Sequence, residues 1–122
     1  MGNGNYKNVI ITRSYRFSLD MMKFIDTLPQ RELSLQIIAK QVIRSATSIG
    51  ANIIEAQASP SRKDFANFLH HALKSANESK YWLGLLQDSG KTDKELAGKL
   101  LQEATELSNM LGASLLSLKG KK

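Results

Sequence analysis

The stretch from Leu33 to Gln57, LSLQIIAKQVIRSATSIGANIIEAQ, decides the fold of this chain. Its apolar and small residues recur at intervals of three and four, which is the period of one face of an α-helix. That face comprises Leu35, Ile38, Val42, Ser45, Ile49, Asn52 and Ala56, and it is widened by Ile37, Ala46 and Ile53. A helix with so broad an apolar surface packs between neighbouring helices. The stretch therefore predicts a central helix of an all-α bundle, which Ala58-Ser59-Pro60 ends.

Two more helices are predicted after this one. Ser61 is expected to cap the third helix, with Asp64 three residues later approximating a capping box, and Gly90 is expected to end it in a left-handed conformation. The fourth helix opens at Thr92 with Glu95 in the Thr-x-x-Glu spacing of a capping box. The predicted apolar stripes are Phe65, Phe68, Leu69, Ala72, Ala76, Ser79, Leu83 and Leu86 in the third helix and Leu96, Leu100, Ala104, Leu107, Leu111, Leu115 and Leu118 in the fourth.

The first helix is predicted to begin near Ser14 and to end before Pro29, because proline disfavours helical geometry in the preceding residue. Its apolar face comprises Phe17, Met21, Phe24 and Leu28. Residues 1–12 are polar and carry a short β-like run, Val9-Ile10-Ile11, so they are expected to form an N-terminal tail or a strand-like arm. Residues 119–122 are expected to form a basic tail.

Long helices with short connections pack antiparallel to their sequence neighbours. The sequence therefore predicts one domain over residues 1–122 with an antiparallel, up-down-up-down four-helix bundle. No apolar run approaches the ~20 residues that span a bilayer, and the polar start lacks the apolar stretch of a signal peptide. The chain also contains no cysteine. These features predict a cytoplasmic protein that does not act at a membrane.

Chemical motifs that would mark an enzyme are missing from the sequence. His70 and His71 are adjacent and point about 100° apart on a helix, so they are not expected to bind one ion together. One is expected to pack at a helix interface and the other to face solvent. No Glu-x-x-His pair, glycine-rich phosphate loop or nucleophile elbow is present. We therefore predict a non-enzymatic protein with no cofactor and no metal.

A line of polar residues interrupts the apolar second helix and has a counterpart in the middle of the third. Charged groups in such a position are costly unless they are paired. One interpretation is a structural network in which Arg44 bonds to Glu55 or Glu78, and the other is a ligand or active site. The structural interpretation is favoured, because no group resembles a matched acid, base and nucleophile. The residues are Arg44, Ser48, Asn52 and Glu55 in the second helix and Lys74, Ser75 and Glu78 in the third.

Seventeen Lys and Arg residues against eleven Asp and Glu residues give a net charge of +6, which favours an acidic partner such as RNA or DNA. Phosphate contacts by such residues would give salt-dependent binding with little sequence specificity. The alternative is a solvated basic surface without a partner. The only aromatic pair, Tyr81-Trp82, is expected to pack in the bundle or in a subunit contact. The candidate phosphate contacts fall in three clusters, Lys7, Arg13 and Arg16; Arg62 and Lys63; and Lys119, Lys121 and Lys122.

The segment from Gln41 to Glu55 contains the pattern Arg-x-x-x-Ser-Ile-x-x-Asn-Ile-x-Glu. Together with the run Lys63 to Leu69 and with Ala72, Ser75 and Glu78, this pattern resembles the bacterial four helix bundle protein family. Its members are also called 23S rRNA intervening-sequence proteins. The resemblance covers about residues 13–119. One departure is Ala56, where the family usually has glycine.

The resemblance implies an up-down-up-down bundle and, as in related members, a barrel-shaped homopentamer. It also implies an association with RNA or DNA and a ribosomal-protein-like label. Three hypotheses follow. In the first, the chain is an oligomeric nucleic-acid-binding protein. In the second, it is a protein-interaction scaffold or accessory subunit with no nucleic-acid role. In the third, it is an enzyme. The enzyme hypothesis needs a solvent-open pocket faced by Arg44, Asn52, Glu55 and Glu78.

Overall fold

The computed structural model describes the backbone of residues 2–120 and the side chains of residues 7–120, which form four α-helices and no strand. Helix α1 spans Gly2–Asp26, α2 spans Leu33–Gln57, α3 spans Arg62–Asp88 and α4 spans Lys94–Gly120. Each helix packs against its neighbours in sequence, and α1 closes the arrangement against α4. Within residues 2–120 the backbones of the diagonal pairs α1–α3 and α2–α4 do not come into close contact. The predicted antiparallel four-helix bundle is confirmed.

The core lies along the centre of the bundle and takes side chains from all four helices. Its largest fully buried members are Phe17, Met21, Phe24, Ile49, Ile53, Leu83, Leu86, Leu107 and Leu111. Two predicted stripe positions are wrong. Ile37 is 51% exposed because it lies on the outer face of α2, and Leu96 is 37% exposed because Ala97 takes the buried position in the first turn of α4.

Helix α1 is longer than the sequence predicts. It begins at Gly2, so the expected start near Ser14 and the expected tail or strand-like arm over residues 1–12 are wrong for the described residues from 2 onward. Ile10 lies seven residues before Phe17, on the same helical face, and is only 5% exposed. Burial of this side chain stabilises the added turns at the start of α1, although a run of β-branched residues favours a strand locally.

Helices α1 and α2 approach each other closely at Ser14 and Gly50. Ser14 is 1% exposed, and its Oγ donates a hydrogen bond to Ile11 O at 3.1 Å. A Cβ on Gly50 would lie 3.3 Å from that Oγ, which is a tight contact. The absence of a side chain at Gly50 therefore lets the two helix backbones come together at this level.

Local interactions mark the two ends of α3 and the start of α4. Ser61 caps α3 as predicted, since its Oγ accepts from Asp64 N at 3.1 Å and donates to Asp64 Oδ2 at 3.0 Å. Gly90 follows α3 with a φ of 74°, which confirms the left-handed conformation. The predicted cap of α4 is wrong. Leu96 N donates to Asp93 Oδ1 at 3.1 Å, while the hydroxyl of Thr92 donates to Leu86 O at 2.9 Å.

We expect the substitution Ser61→Ala to lower the free energy of unfolding by about 1 kcal/mol, because it leaves Asp64 N without its capping acceptor. Urea denaturation followed by circular dichroism measures this change. The matched control is Ser34→Ala, which changes an exposed serine in the first turn of α2. It should alter stability by less than about 0.5 kcal/mol. Equal losses in the two variants would argue against a capping role for Ser61.

The C-terminal part of the chain is helical as far as it is described. Lys119 and Gly120 belong to α4, so the expected basic tail does not begin at residue 119. Lys121 and Lys122 lie outside the described residues. None of the described helices combines the length and the apolar character that a membrane crossing requires.

Candidate functional site

One end of the bundle collects basic residues from three helices. Because the helices alternate in direction, α1 and α3 begin at the end where α2 and α4 finish. Lys7, Arg62, Lys63 and Lys119 all lie there, and we call this group the basic end. A hydrogen bond joins two of its helices, since Arg62 Nη2 donates to Leu118 O at 3.0 Å. Three clusters that are separate in the sequence thus contribute to one surface.

A cavity of about 510 Å³ at the same end confirms that all four helices meet there. Its lining is mainly apolar. The lining residues are Lys7 and Ile10 of α1, Ile53 and Gln57 of α2, Phe65 and Leu69 of α3, and Ala113, Ser114, Ser117 and Leu118 of α4. The Lys7 side chain therefore stands beside the start of α3 and the last turns of α4.

Charge is distributed unevenly between the two ends of the bundle. Near the basic end the acidic residues are Glu55 and Asp64, and Asp64 is engaged by Ser61. At the opposite end acidic and basic residues are mixed, and Lys91 Nζ lies 2.6 Å from Glu32 Oε1. These residues are Asp26, Glu32, Asp88, Asp93 and Glu95 with Lys23, Arg31, Lys91 and Lys94. Positive charge therefore predominates at the basic end but not at the opposite end, since four basic residues face two acidic ones at the first and five at the second.

Arg13 is bound within the bundle rather than available to a phosphate. Its Nε and Nη2 donate to the two carboxylate oxygens of Glu103 at 2.9 and 2.6 Å, and Nη2 also donates to Glu106 Oε1 at 2.6 Å. This bidentate contact fastens α1 to α4. Arg16 is exposed on α1 about 13 Å along the helix from Lys7 and lies away from the basic end.

Because of these contacts, the free energy of unfolding of the bundle is expected to change with pH in the acidic range. Hydrogen bonds from Gln102 and from Arg13 lower the pKa of Glu106 below its ordinary value of 4.5, and both carboxylates raise the pKa of Arg13. Because the folded-state pKa of Glu106 is depressed, its contribution is fully present above pH 4.5 and is lost as the pH falls through the folded-state value.

We therefore expect wild type to be more stable than Glu106→Gln at pH 7, with the difference shrinking as the pH falls below 4.5. Urea unfolding of both proteins across this pH range measures it. Glu95→Gln is the matched control, since Glu95 is an exposed carboxylate in the first turn of α4. A pH-independent difference between wild type and Glu106→Gln would contradict this role of the carboxylate.

The predicted polar residues meet in a solvent-open pocket between α2 and α3, which we call the polar pocket. Its volume is about 420 Å³. Ser45 and Ser79 hold α2 and α3 in register along their axes, because their hydroxyl oxygens are 2.8 Å apart in the buried interface. The lining residues are Arg44, Ser45, Ser48 and Asn52 of α2 and His71, Lys74, Ser75 and Glu78 of α3.

The expected bond from Arg44 to Glu55 or Glu78 is wrong, since neither ion pair is present among the described side chains. Glu55 lies eleven residues beyond Arg44, or about 16 Å along α2, and does not line the polar pocket. Glu78 Oε2 instead accepts from Trp82 Nε1 at 3.1 Å. Polar residues of α2 bond to the backbone one turn earlier, from Ser48 Oγ to Arg44 O and from Asn52 Nδ2 to Ser48 O, both at 2.8 Å.

The sequence did not assign Ser45 or His71 to this group. His71 belongs to the same face of α3, because His71, Lys74, Ser75 and Glu78 follow one another at three, one and three residues, and Ser45 lies three residues before Ser48 on α2. Both histidines are exposed, and the ring of His71 packs edge-on to Phe68 with centroids 6.5 Å apart. The expectation that one histidine is packed at a helix interface is therefore wrong. Among the described residues no three His, Cys, Asp or Glu side chains are placed to hold a metal ion.

The two residues of the aromatic pair, Tyr81 and Trp82, differ in their exposure to solvent. Trp82 is half-buried against the core, while Tyr81 is 62% exposed and meets it edge-on at a centroid distance of 5.1 Å. The predicted packing in the bundle is confirmed for Trp82.

Comparison with known proteins places the chain in a family. The sequence model of the 23S rRNA-intervening sequence protein family matches residues 6–113. A crystal structure from Bacteroides thetaiotaomicron, described as a protein with unknown function from the S23 ribosomal protein family, is similar at 35% identity with a TM-score of 0.83. That similarity covers 90% of this chain and 97% of the other. No functionally curated protein matches the sequence significantly. The chain therefore belongs to the 23S rRNA-intervening sequence protein family.

Proposed function

We propose that this protein is a non-enzymatic, self-associating bundle that binds RNA through its basic end in the cytoplasm. The convergence of Lys7, Arg62, Lys63 and Lys119 at one end of the bundle carries this proposal. Lysine and arginine side chains on one surface attract a polyanion and release its counterions. The family name and the ribosomal family of the similar structure support RNA over another polyanion.

The outer face of α1 supports self-association. Tyr15, Leu19 and Met22 follow one another at four and three residues and are 69%, 42% and 52% exposed. A row of large apolar side chains on one helix face is typical of a protein interface. We infer that copies of the bundle assemble through such faces as a homopentamer. Five copies with a charge of +6 each would carry about +30, a strong field for RNA.

The polar pocket favours binding over catalysis. Its hydroxyls are not joined to a base, since Ser48 donates to a backbone carbonyl and Ser45 is paired with Ser79. Its one carboxylate, on Glu78, is held by the indole of Trp82. A nucleophile requires an adjacent base within hydrogen-bonding distance. The arrangement is therefore better suited to holding a ligand than to transforming one.

Binding of a structured RNA across a salt series, with light scattering to measure the mass of the particle, tests the proposal. We expect the logarithm of the association constant to fall linearly with the logarithm of the salt concentration. We also expect a mass above that of the 13.5 kDa chain. An absence of RNA binding at low salt would overturn the RNA function. Protein capture that survives nuclease treatment would then favour the scaffold function, in which the partner is another protein.

A further inference from the structure

The polar pocket presents two cations that have no partner among the described side chains. Arg44 reaches it from α2 and Lys74 from α3, and neither side chain makes a hydrogen bond or ion pair with another described residue. A guanidinium and an ammonium on opposite walls of a pocket match an oxyanion such as a phosphate. The free hydroxyl of Ser75 adds a further donor on the α3 side.

The same pocket presents acceptors as well. Asn52 uses its amide nitrogen on Ser48 O, which leaves its carbonyl oxygen as an acceptor. Glu78 uses Oε2 for the Trp82 indole, which leaves Oε1 as an acceptor. A simple anion would be repelled by the Glu78 carboxylate. A ligand with a phosphate and a nearby hydroxyl satisfies both halves of the pocket, because a hydroxyl donates to a carboxylate.

The α3 surface connects the polar pocket with the basic end. Lys63, Asn67, His70 and Lys74 follow one another at four, three and four residues, and all four are exposed. They form one helix face that runs for about 16 Å from the basic end to the pocket. A strand whose phosphates contact the basic end can therefore follow α3 and reach the pocket with a later phosphate.

We propose that the polar pocket binds a ribose-phosphate unit, with Arg44 and Lys74 on the phosphate and Asn52 and Glu78 on the ribose hydroxyls. This inference rests on the proposed RNA binding and deepens it, since it names the unit that is read and gives RNA an advantage over DNA. The 2′-hydroxyl is the group that distinguishes the two nucleic acids at a given site. A free ribonucleotide carries the same chemistry as a unit of an RNA strand.

Fluorescence anisotropy of the full chain with a single-stranded RNA, with DNA of the same sequence, and with a labelled ribonucleoside monophosphate tests the inference. The pocket variant is Arg44→Gln with Lys74→Gln. The matched control is Lys94→Gln with Lys99→Gln, which removes the same charge from exposed positions on α4, the helix diagonal to α2. A third variant, Glu78→Gln, removes the carboxylate while it keeps an acceptor for Trp82.

We expect the pocket variant to bind RNA about tenfold or more weakly, with a salt slope shallower by about 0.7 for each phosphate that it no longer neutralises. The α4 control should change RNA affinity by a few-fold at most. Wild type should bind RNA more tightly than DNA, and Glu78→Gln should reduce that ratio while it leaves DNA binding at least as strong. Circular dichroism should show the same helix content in every variant.

Equal weakening in the pocket variant and the α4 control would overturn the inference and leave RNA binding by the basic end intact. Equal wild-type affinity for RNA and DNA would overturn the role of the ribose hydroxyl. Binding of the ribonucleotide that depends on Arg44 and Lys74, without any binding of RNA, would support the pocket and refute the proposed RNA function. The absence of both RNA and ribonucleotide binding would refute both.

Discussion

The substitution Phe17→Ala is expected to lower the free energy of unfolding by about 3–5 kcal/mol, which is a large part of the stability of a domain of this size. Phe17 is 1% exposed and belongs to the apolar face that joins α1 to the rest of the bundle. Its removal forfeits the transfer free energy of the ring and leaves a cavity that the packed neighbours fill only in part. The α1–α2 and α1–α4 interfaces are smaller than the α2–α3 and α3–α4 interfaces, so little other packing compensates.

Chemical denaturation of Phe17→Ala beside Tyr15→Ala measures this effect on one helix. Tyr15 is 69% exposed, so its replacement should cost less than about 0.5 kcal/mol in the monomer. A loss below about 1 kcal/mol for Phe17→Ala would show that α1 contributes little to the folded core. Measurement at several protein concentrations separates folding from self-association, because an assembled protein gains stability with concentration.

Reversal of two charges at the basic end is expected to weaken RNA binding by about a hundredfold or more at moderate salt. The variant is Lys63→Glu with Lys119→Glu, since both lysines are exposed and belong to different helices. Each phosphate that is no longer neutralised makes the salt slope shallower by about 0.7–0.9, and each new carboxylate repels the RNA. The effect should therefore be largest at low salt and should fade as salt screens the charges.

The matched control is Arg31→Glu with Lys94→Glu, which changes the net charge by the same amount at the opposite end of the bundle. If the basic end is the RNA surface, the control should lose much less affinity and should keep most of its salt slope. Equal weakening in both variants would mean that net charge alone drives the binding. Thermal unfolding of both variants checks that the fold is retained, since exposed substitutions of this kind usually change stability by less than about 0.5 kcal/mol.

Local signals in the sequence were sufficient for most of the secondary structure. The period of the apolar residues gave α2 its bounds, and the Ser61 cap and Gly90 gave the start and end of α3, because these features act over a few residues. The start of α1 was missed for the same reason. Val9-Ile10-Ile11 favours a strand locally, and the burial that makes it helical comes from other helices.

For the polar pocket, the sequence identifies the residues, whereas the fold determines their arrangement. The sequence identified Arg44, Ser48, Asn52, Ser75 and Glu78 as one unusual group, since charged and polar side chains in an apolar helix need an explanation. In the structure these side chains line an open pocket, and Arg44 has no ion pair there. This arrangement depends on the register of α2 and α3 along their axes. The hydrogen bond between Ser45 and Ser79 holds the two helices in that register, and it joins residues that are far apart in the sequence.

By itself, the sequence of this protein determines four amphipathic helices, their antiparallel order and a basic net charge, because periodicity, caps and composition are local or additive properties. The tertiary structure decides where the charged side chains lie on the bundle and which of them pair. It places Lys7, Arg62, Lys63 and Lys119 at one end, since alternate helix ends meet there, and it binds Arg13 to Glu103 and Glu106 across α1 and α4. Such pairings arise between residues up to 93 positions apart, and only the packed fold brings them within hydrogen-bonding distance.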